Sequence, residues 1–260
     1  MIFTKAQLLA DLALIEQAYL VNPAAISSPV KLPVGFVYVG TIEVDSSVTA
    51  RLLALQSSVH LPLFRALFKP DSEPWGYVAY DTATGTVHVS IRGTETELEW
   101  AEDAAAILVP CESEWLGVQG TIRIHEGFQQ VFTAIRSSLV SLIARARTYT
   151  PARWAFRGHS LGSPLAVQAR LLLTSSDVAS CCLWAAPRTG NSGFAGWWNA
   201  ITPNCQAVIN APDLVPKLPP AGLGFEAVGQ ILRIQGGGNF FDLKTAHNLE
   251  LGYAPGVEKL

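Results

Sequence analysis

The chain has 260 residues, of which 49% are hydrophobic and 15% are charged, and its formal net charge at pH 7 is −3. This length and apolar content predict a single α/β domain over residues 1–260 with a sizeable core. The lack of a basic cluster argues against nucleic acid as a partner, and no uncharged apolar run reaches the ~18 residues of a membrane span.

The first predicted element is an amphipathic helix at the N-terminus. Thr4 and Gln7 have the spacing of a capping box, and apolar residues follow at helical intervals. Because Lys5, Asp11 and Glu16 interrupt this apolar stretch, we do not expect a signal peptide. The expected localisation is therefore cytoplasmic, exported by a non-Sec route, or that of a mature form.

The remaining elements predict an alternation of strands and helices. Residues 22–45 are interpreted as irregular chain and 47–67 as a helix, so that residues 1–70 form an N-terminal helical wrap. Strands are predicted at 76–81, 86–91, 153–157, 180–185, 205–210 and 227–234, and helices at 127–148, 161–174, 193–200 and 246–252. Such alternation is typical of a mostly parallel sheet with helices on both faces.

The four cysteines do not have the spacing of a metal site. They are Cys111, Cys181, Cys182 and Cys205. Cys181 and Cys182 are adjacent in a predicted strand, so their side chains should point to opposite faces of the sheet. The expected role is that of small buried hydrophobic residues, and the possibility of a disulfide stays open.

The pentapeptide at residues 158–162, Gly-His-Ser-Leu-Gly, carries the chemistry. It has the pattern G-x-S-x-G and lies between an apolar strand and a helix, which is the context of a nucleophile elbow in α/β-hydrolases. Such a turn exposes the serine hydroxyl at a helix N-terminus, where the helix dipole favours developing negative charge. Ser160 is therefore the candidate nucleophile.

A serine nucleophile needs a base and an acid that orients the base. In α/β-hydrolases the chain order is serine, acid, histidine, and His247 alone among the histidines follows Ser160. Asp213 follows a predicted strand and is the favoured acid, because acidic members of such triads lie in loops after strands. Asp242 is the competing candidate.

The oxyanion hole is expected to use two loops. The backbone N–H of Leu161, the residue after the nucleophile, is one predicted donor. Thr94 follows Gly93 at the end of the strand at 86–91, where the glycine permits a close backbone approach and the threonine supplies a hydroxyl. Arg92 is expected to brace this loop.

Taken together, these segments resemble the class 3 lipases, the family of filamentous-fungal triacylglycerol lipases and feruloyl esterases. The resemblance covers roughly residues 75–255. The matching segments, in chain order, are 77–81, 91–94, 125–128, 158–162, 186–191 and 210–220, followed by His247 and Tyr253. Ser163 stands where the family usually has a second glycine.

The resemblance implies an α/β-hydrolase fold with Ser160, Asp213 and His247 as the catalytic triad and Thr94 and Leu161 at the oxyanion hole. The expected activity is that of a serine carboxylester hydrolase of lipase type, cleaving acylglycerol or other fatty-acyl esters through an acyl-enzyme. A short-chain or feruloyl-type esterase and a phospholipase A1 are alternatives. A non-catalytic binding protein on a lipase scaffold is a remote one, because all three triad residues are present.

Neither a cofactor nor a metal is expected. The expected partners are an ester or lipid substrate and, transiently, a lipid interface. A monomer is assumed, and the oligomeric state stays open.

The resemblance also implies a short helical lid over residues 94–110. Leu98, Trp100 and Ile107 could form its substrate-facing side. Between Thr94 and Ile122 the chain has seven acidic residues and no Lys or Arg. We interpret these acids as a solvated face or, alternatively, as a negative rim that disfavours anionic lipid surfaces.

Overall fold

A large sheet organises the computed structural model of the chain, which describes residues 2–21, 30–48, 74–94, 107–111, 121–173 and 178–260. The strands are β1 (Phe36–Ile42), β2 (Gly76–Asp81), β3 (Thr86–Ile91), β4 (Leu108–Pro110), β5 (Arg123–His125), β6 (Arg153–His159), β7 (Val178–Trp184), β8 (Gly190–Asn191), β9 (Cys205–Asn210), β10 (Phe225–Glu226) and β11 (Gln230–Ile234). The helices are α1 (Lys5–Gln17), α2 (Glu126–Arg147), α3 (Gly162–Arg170), α4 (Ser192–Ile201), α5 (Leu243–His247) and α6 (Ala254–Glu258).

The large sheet is mostly parallel, as predicted. Within the described residues it has seven strands in the order β1-β2-β3-β6-β7-β9-β11. From β3 onward each strand is parallel to its neighbour, whereas β1 and β2 form an antiparallel edge. The carboxyl ends of β3, β6, β7 and β9 therefore meet at one edge, where the loops after them come together. A smaller antiparallel sheet has the order β10-β8-β5-β4.

Helices cover both faces of the large sheet, which confirms the predicted α/β class. Residues of α2, α3 and α4 form one buried cluster with alternate strand residues such as Val78 and Cys181. Residues of α1 and α6 form a second cluster with the intervening residues, such as Ala79 and Cys182. Cys181 and Cys182 thus point to opposite faces, as expected, and both are buried free thiols, as is Cys205.

The N-terminal helix begins as the sequence indicates. Thr4 caps α1, and its side chain and that of Gln7 form the reciprocal hydrogen bonds of a capping box. Leu8 and Ile15 are buried against the sheet. Asp11 is also buried, although a charged residue is rarely fully buried unless it is paired.

Several boundaries differ from the prediction. Residues 36–42 form the edge strand β1 instead of irregular chain, with a register shift between Tyr38 and Gly40. The predicted strand at 227–234 begins later, since β11 covers Gln230–Ile234, and the short strand β10 lies before the predicted range. The predicted helix at 161–174 is shorter, since α3 ends at Arg170.

The predicted C-terminal helix at 246–252 is also wrong. α5 ends at His247, because Asn248 adopts an extended backbone with ψ 136°. A π-helical turn, Leu249–Tyr253, follows, and α6 completes the chain. The side chain of Asn248 accepts a hydrogen bond from the backbone of Leu251 and so begins the new turn.

Two parts of the prediction lie largely outside the described residues. They are the helix at 47–67 and much of the N-terminal wrap. The assignment of residues 1–260 to one domain therefore stays a prediction. Among the described residues, no helix has both the length and the apolar character needed to cross a membrane.

Candidate active site

Ser160 lies in a strained turn between β6 and α3. Its φ is 54°, in the left-handed region that residues other than glycine and asparagine rarely adopt. A Cβ at position 158 would lie 2.3 Å from the Gly162 carbonyl oxygen, and one at position 162 would lie 2.1 Å from the Ile91 carbonyl oxygen. The elbow therefore requires glycine on both sides of the serine.

The elbow is held by hydrogen bonds to β7. The backbone N–H of Ser160 donates to the Trp184 carbonyl at 2.9 Å. Ser163, which replaces the family's second glycine, is fully buried. Its hydroxyl lies 2.9 Å from the Gly158 carbonyl and 3.0 Å from the Trp184 carbonyl. At the position where the family usually has a glycine, the Ser163 hydroxyl thus links the start of α3 to the ends of β6 and β7.

His247 and Asp213 are hydrogen-bonded, as the predicted triad requires. Nδ1 of His247 donates to Oδ2 of Asp213 at 2.8 Å, and both side chains are buried. Tyr253 also donates to Oδ2, at 2.6 Å, and the backbone N–H of Val215 donates to Oδ1 at 3.0 Å. The carboxylate is therefore fixed by three donors, which is the condition for keeping a buried charge.

Asn210 links the two loops that carry this pair. It lies at the carboxyl end of β9, and its Nδ2 donates to the carbonyl of Ala246, next to His247, at 2.8 Å. The same group donates to Gly237 at 2.9 Å, and Oδ1 accepts from Gly236 at 2.9 Å. One buried amide thus holds the segment before His247 against the strand that leads to Asp213.

The loop after β3 lies directly beside the elbow. A Cβ at Gly93 would be 2.8 Å from the Ser160 Cβ, so this backbone approaches the nucleophile closely. Arg92 braces the loop, since its Nε donates to the Pro74 carbonyl at 2.7 Å. Thr94, the next residue, is buried, and the structure describes no hydrogen-bond partner for its hydroxyl.

Leu161, the other predicted oxyanion donor, caps the N-terminus of α3. Its backbone N–H therefore lies at the positive end of the helix dipole, where a developing oxyanion is stabilised. Among the described residues, the Ser160 hydroxyl has no hydrogen-bond partner either.

Asp242, the competing acid, is not part of this arrangement. It is exposed, and its side chain caps α5 by accepting from the backbone of Thr245 at 3.2 Å. His125 has a structural role. It caps α2 by accepting from Gly127 at 3.1 Å, and burial lowers its pKa to about 4.

The predicted lid residues are placed only in part. Leu98 and Trp100 lie outside the described residues, as do the seven acids between Thr94 and Ile122. Ile107 is described and is 42% exposed, immediately before β4. Its carbonyl accepts a hydrogen bond from the backbone N–H of Glu126 at 3.0 Å. A role of Ile107 in a lid stays a prediction.

A cavity of about 300 Å³ lies beside His159, between the end of α1 and the chain after His247. Its lining residues are Glu16, Gln17, Tyr19, Leu20, His159, Asn248, Leu249 and Glu250. Burial, and then the nearby carboxylate of Glu250, raise the pKa of Glu16. Glu16 and Glu250 place two carboxyl groups at the cavity, whose lining is both polar and apolar.

Sequence reasoning did not identify Tyr19 as a neighbour of the elbow. Its hydroxyl is hydrogen-bonded to Nδ1 of His159 and accepts from the backbone N–H of Gly93 at 2.9 Å. In the sequence Tyr19 is only the last of the apolar residues that follow Gln7 at helical intervals. No local pattern marks this contact, because 140 residues separate the two side chains in sequence.

In the part of the chain that the structure describes, no three His, Cys, Asp or Glu side chains are placed to hold a metal ion.

Comparison with known proteins gives consistent matches. The family model described as Lipase (class 3) matches residues 88–223. A lipase of Rhizomucor miehei is 28% identical in an alignment 171 residues long, which covers 60% of this chain and 46% of that protein. Phospholipase A1-II 4 of Oryza sativa subsp. japonica is 30% identical in an alignment 213 residues long, which covers 67% of this chain and 52% of that protein. The chain spans about half the length of the curated relatives it matches.

The same resemblance is found among solved structures. A triacylglycerol lipase, described as having a serine protease triad at its catalytic centre, superimposes with a TM-score of 0.53 at 26% identity. The superposition covers 61% of this chain and 60% of that chain. The α/β-hydrolase fold predicted from the elbow is thereby confirmed.

Proposed function

The chain belongs to the class 3 lipase family, and we propose that it is a serine carboxylester hydrolase cleaving acylglycerol or other fatty-acyl esters. The observation that carries the proposal is the strained Ser160 elbow in a fold where His247 and Asp213 are buried and hydrogen-bonded. Strain at a nucleophile elbow is characteristic of a reactive serine.

The proposed reaction proceeds in two halves. Ser160 Oγ attacks the ester carbonyl as Nε2 of His247 takes the hydroxyl proton, and the oxyanion is bound by Thr94 and the N–H of Leu161. The C–O bond to the alcohol breaks, and the alcohol leaves with the proton from His247. Water, deprotonated by His247, then attacks the acyl-enzyme and releases the acid and the free serine. Asp213 fixes the imidazole tautomer and stabilises the imidazolium.

The nucleophile is tested by Ser160→Ala. The variant should lose ester hydrolysis and covalent labelling by a phosphonate ester while keeping its melting temperature. Ester hydrolysis above about 1% of the unaltered chain would contradict the assignment, because loss of a triad serine typically costs 10⁴-fold or more.

The substrate class separates the family alternatives. A series of p-nitrophenyl esters of increasing acyl length distinguishes a lipase from a short-chain esterase, and a methyl ferulate assay tests the feruloyl alternative. Phospholipase A1 is the second candidate, and the match to the rice phospholipase A1-II 4 favours it. Release of the sn-1 fatty acid from phosphatidylcholine would identify that activity.

Contact with a lipid surface is part of the proposed function. Phe240 and Phe241 are 61% and 101% exposed at the turn before α5, which carries His247. The turn is held by Asn239, whose side chain accepts from the backbones of Phe241 and Asp242 at 2.8 and 3.1 Å. Aromatic side chains fixed in this way are suited to the interfacial region of a lipid layer. The ammonium of Lys217, 4.9 Å from the Phe240 ring, could bind a headgroup phosphate.

A further inference from the structure

The hydroxyl of Tyr19 connects the end of α1 to both halves of the candidate active site. It accepts a hydrogen bond from the backbone N–H of Gly93, in the oxyanion loop, at 2.9 Å. It is also hydrogen-bonded to Nδ1 of His159, the residue before the nucleophile. One phenolic oxygen therefore contacts the oxyanion loop and the elbow together.

The direction of these hydrogen bonds follows from the donors available. Nε2 of His159 lies 3.0 Å from the carbonyl oxygen of His247, and since a carbonyl can only accept, Nε2 carries the proton. Nδ1 of the neutral ring is then an acceptor, so Tyr19 donates to it. The chain Gly93–Tyr19–His159–His247 is thus continuous and fixes the tautomer of His159.

The helix that precedes Tyr19, α1, is anchored by a buried ion pair. Nε of Arg157, on β6, lies 2.8 Å from Oδ2 of Asp11, and both side chains are buried. Nε1 of Trp184 donates to the other carboxylate oxygen at 2.9 Å. Tyr77 adds a third link, since its hydroxyl donates to the Leu14 carbonyl at 2.7 Å. Paired and hydrogen-bonded buried charges of this kind resist displacement, because separating them leaves an uncompensated charge.

The oxyanion loop is confined between this helix and the nucleophile. A Cβ at Gly93 would lie 2.8 Å from the Ser160 Cβ and 3.0 Å from the Tyr19 hydroxyl. The Arg92 guanidinium lies over the Tyr19 ring, 5.9 Å from its centroid. The peptide that precedes Thr94 is therefore held from one side by Tyr19 and from the other by the elbow.

We propose that Tyr19 is a positioning residue of the oxyanion hole, and that α1 contributes to the active site by holding Tyr19 in place. Both lie outside the residues matched by the family model. The proposal rests on the proposed ester hydrolysis. Tyr19 acts through the backbone: it holds Gly93 so that Thr94 is oriented before the oxyanion forms. Preorganised donors stabilise a transition state without reorganisation at the moment of reaction.

The first test is Tyr19→Phe, which keeps the ring and removes the hydroxyl. Because one hydrogen bond that orients the oxyanion loop is lost, kcat on a soluble ester should fall about 5- to 10-fold, with KM changed less than about twofold. Tyr38→Phe is the matched control, since its hydroxyl is bonded to Thr41 on the edge strand β1. It should leave kcat unchanged. Asp11→Asn would not serve as a test, because it leaves the buried Arg157 without its ion-pair partner and so destabilises the whole fold.

A double-mutant cycle separates positioning from general stabilisation. If Tyr19 acts through Thr94, then Tyr19→Phe in a Thr94→Val background should lower kcat by less than about twofold further. Full additivity of the two effects, or an unchanged kcat in Tyr19→Phe, overturns the positioning proposal and leaves the ester hydrolase intact. An unaltered chain that hydrolyses no ester overturns both.

Discussion

Tyr253 and His247 donate to the same oxygen of Asp213, Oδ2, at 2.6 and 2.8 Å. Tyr253 ends the π-helical turn that follows His247, so the chain after the histidine returns to hold the acid. Both donors are buried, and hydrogen bonds to a charged acceptor are stronger than neutral ones. The geometry of the imidazole therefore depends on a tyrosine beyond the three triad residues.

Removing the Tyr253 hydroxyl should weaken catalysis without abolishing it. In Tyr253→Phe the carboxylate loses one charge-assisted donor, and the free energy of unfolding should fall by about 1–3 kcal/mol. We expect kcat to fall by roughly 3- to 10-fold, since His247 and Val215 still hold the carboxylate. Steady-state kinetics and thermal unfolding check this prediction, and an unchanged kcat would show that Tyr253 only stabilises the fold.

The acid is distinguished by a pair of matched substitutions. Asp213→Asn should lower kcat by roughly 10³- to 10⁴-fold, because an amide favours the wrong imidazole tautomer. Asp242→Asn should leave kcat unchanged, since asparagine caps a helix as well as aspartate does. If the two variants exchanged these behaviours, the assignment of Asp213 would be wrong.

The hydroxyl of Thr94 should act mainly in the transition state. Thr94→Val keeps the shape of the side chain, and kcat should fall about 10²- to 10³-fold with KM little changed, because an oxyanion-hole donor is lost. Thr94→Ser, which keeps the hydroxyl, should recover most of the activity. A near-normal kcat in Thr94→Val would mean that the side chain binds no oxyanion.

Stability should decrease in mild acid because of His125. Burial lowers its pKa from 6.5 to about 4, so between these values the unfolded state binds a proton that the folded state does not. The free energy of unfolding should therefore fall as the pH drops through this interval, by roughly 1.4 kcal/mol per pH unit.

The variant His125→Asn tests whether His125 causes this fall in the unfolding free energy. Asparagine keeps an acceptor for the Gly127 N–H at the start of α2 and does not titrate. Between pH 6.5 and 4, the slope of its unfolding free energy against pH should be smaller than that of the unaltered chain by roughly 1.4 kcal/mol per pH unit. Thermal or denaturant unfolding at several pH values measures this, and an identical slope in both proteins would exclude His125 as the cause.

The aromatic turn at Phe240 and Phe241 should contribute to binding at a lipid surface. In an inactive Ser160→Ala background, replacing both residues by Ala should weaken partition onto phosphatidylcholine vesicles by roughly 10- to 100-fold, because apolar burial is lost. With Ser160 restored, the same double substitution should leave hydrolysis of a soluble short-chain ester unchanged.

Val34→Ala is the matched control for the aromatic turn. Val34 is 104% exposed. The adjacent Gly35 bonds to Thr82 at the β2–β3 turn, away from the carboxyl ends of the parallel strands. This variant should bind vesicles like the unaltered chain. Equal vesicle partition with and without the phenylalanines would remove the turn from the proposed function.

Local sequence was sufficient to predict much of the site, because the motifs that mark it are short. The elbow needs glycine two residues on each side of Ser160, and this pattern is visible in the sequence although the clash at Gly162 is with Ile91 on the neighbouring strand β3. Chain order then left His247 as the base, and the strand before Asp213 indicated its place in a loop. The boundaries near residues 225–253 were less accurate, because β10, β11 and the π-helical turn depend on packing against neighbouring segments.

The amino-acid sequence by itself determined the strand–elbow–helix unit, the order of the triad residues and the alternation that produces a mostly parallel sheet. Only the tertiary structure decided that Asp11 pairs with Arg157, 146 residues away, and that Tyr19 reaches His159. A buried charge or hydroxyl must find a partner, but sequence periodicity reports only which face of an element is buried. Which partner it finds depends on how α1 is laid across β6, and that arrangement exists only once the sheet has formed.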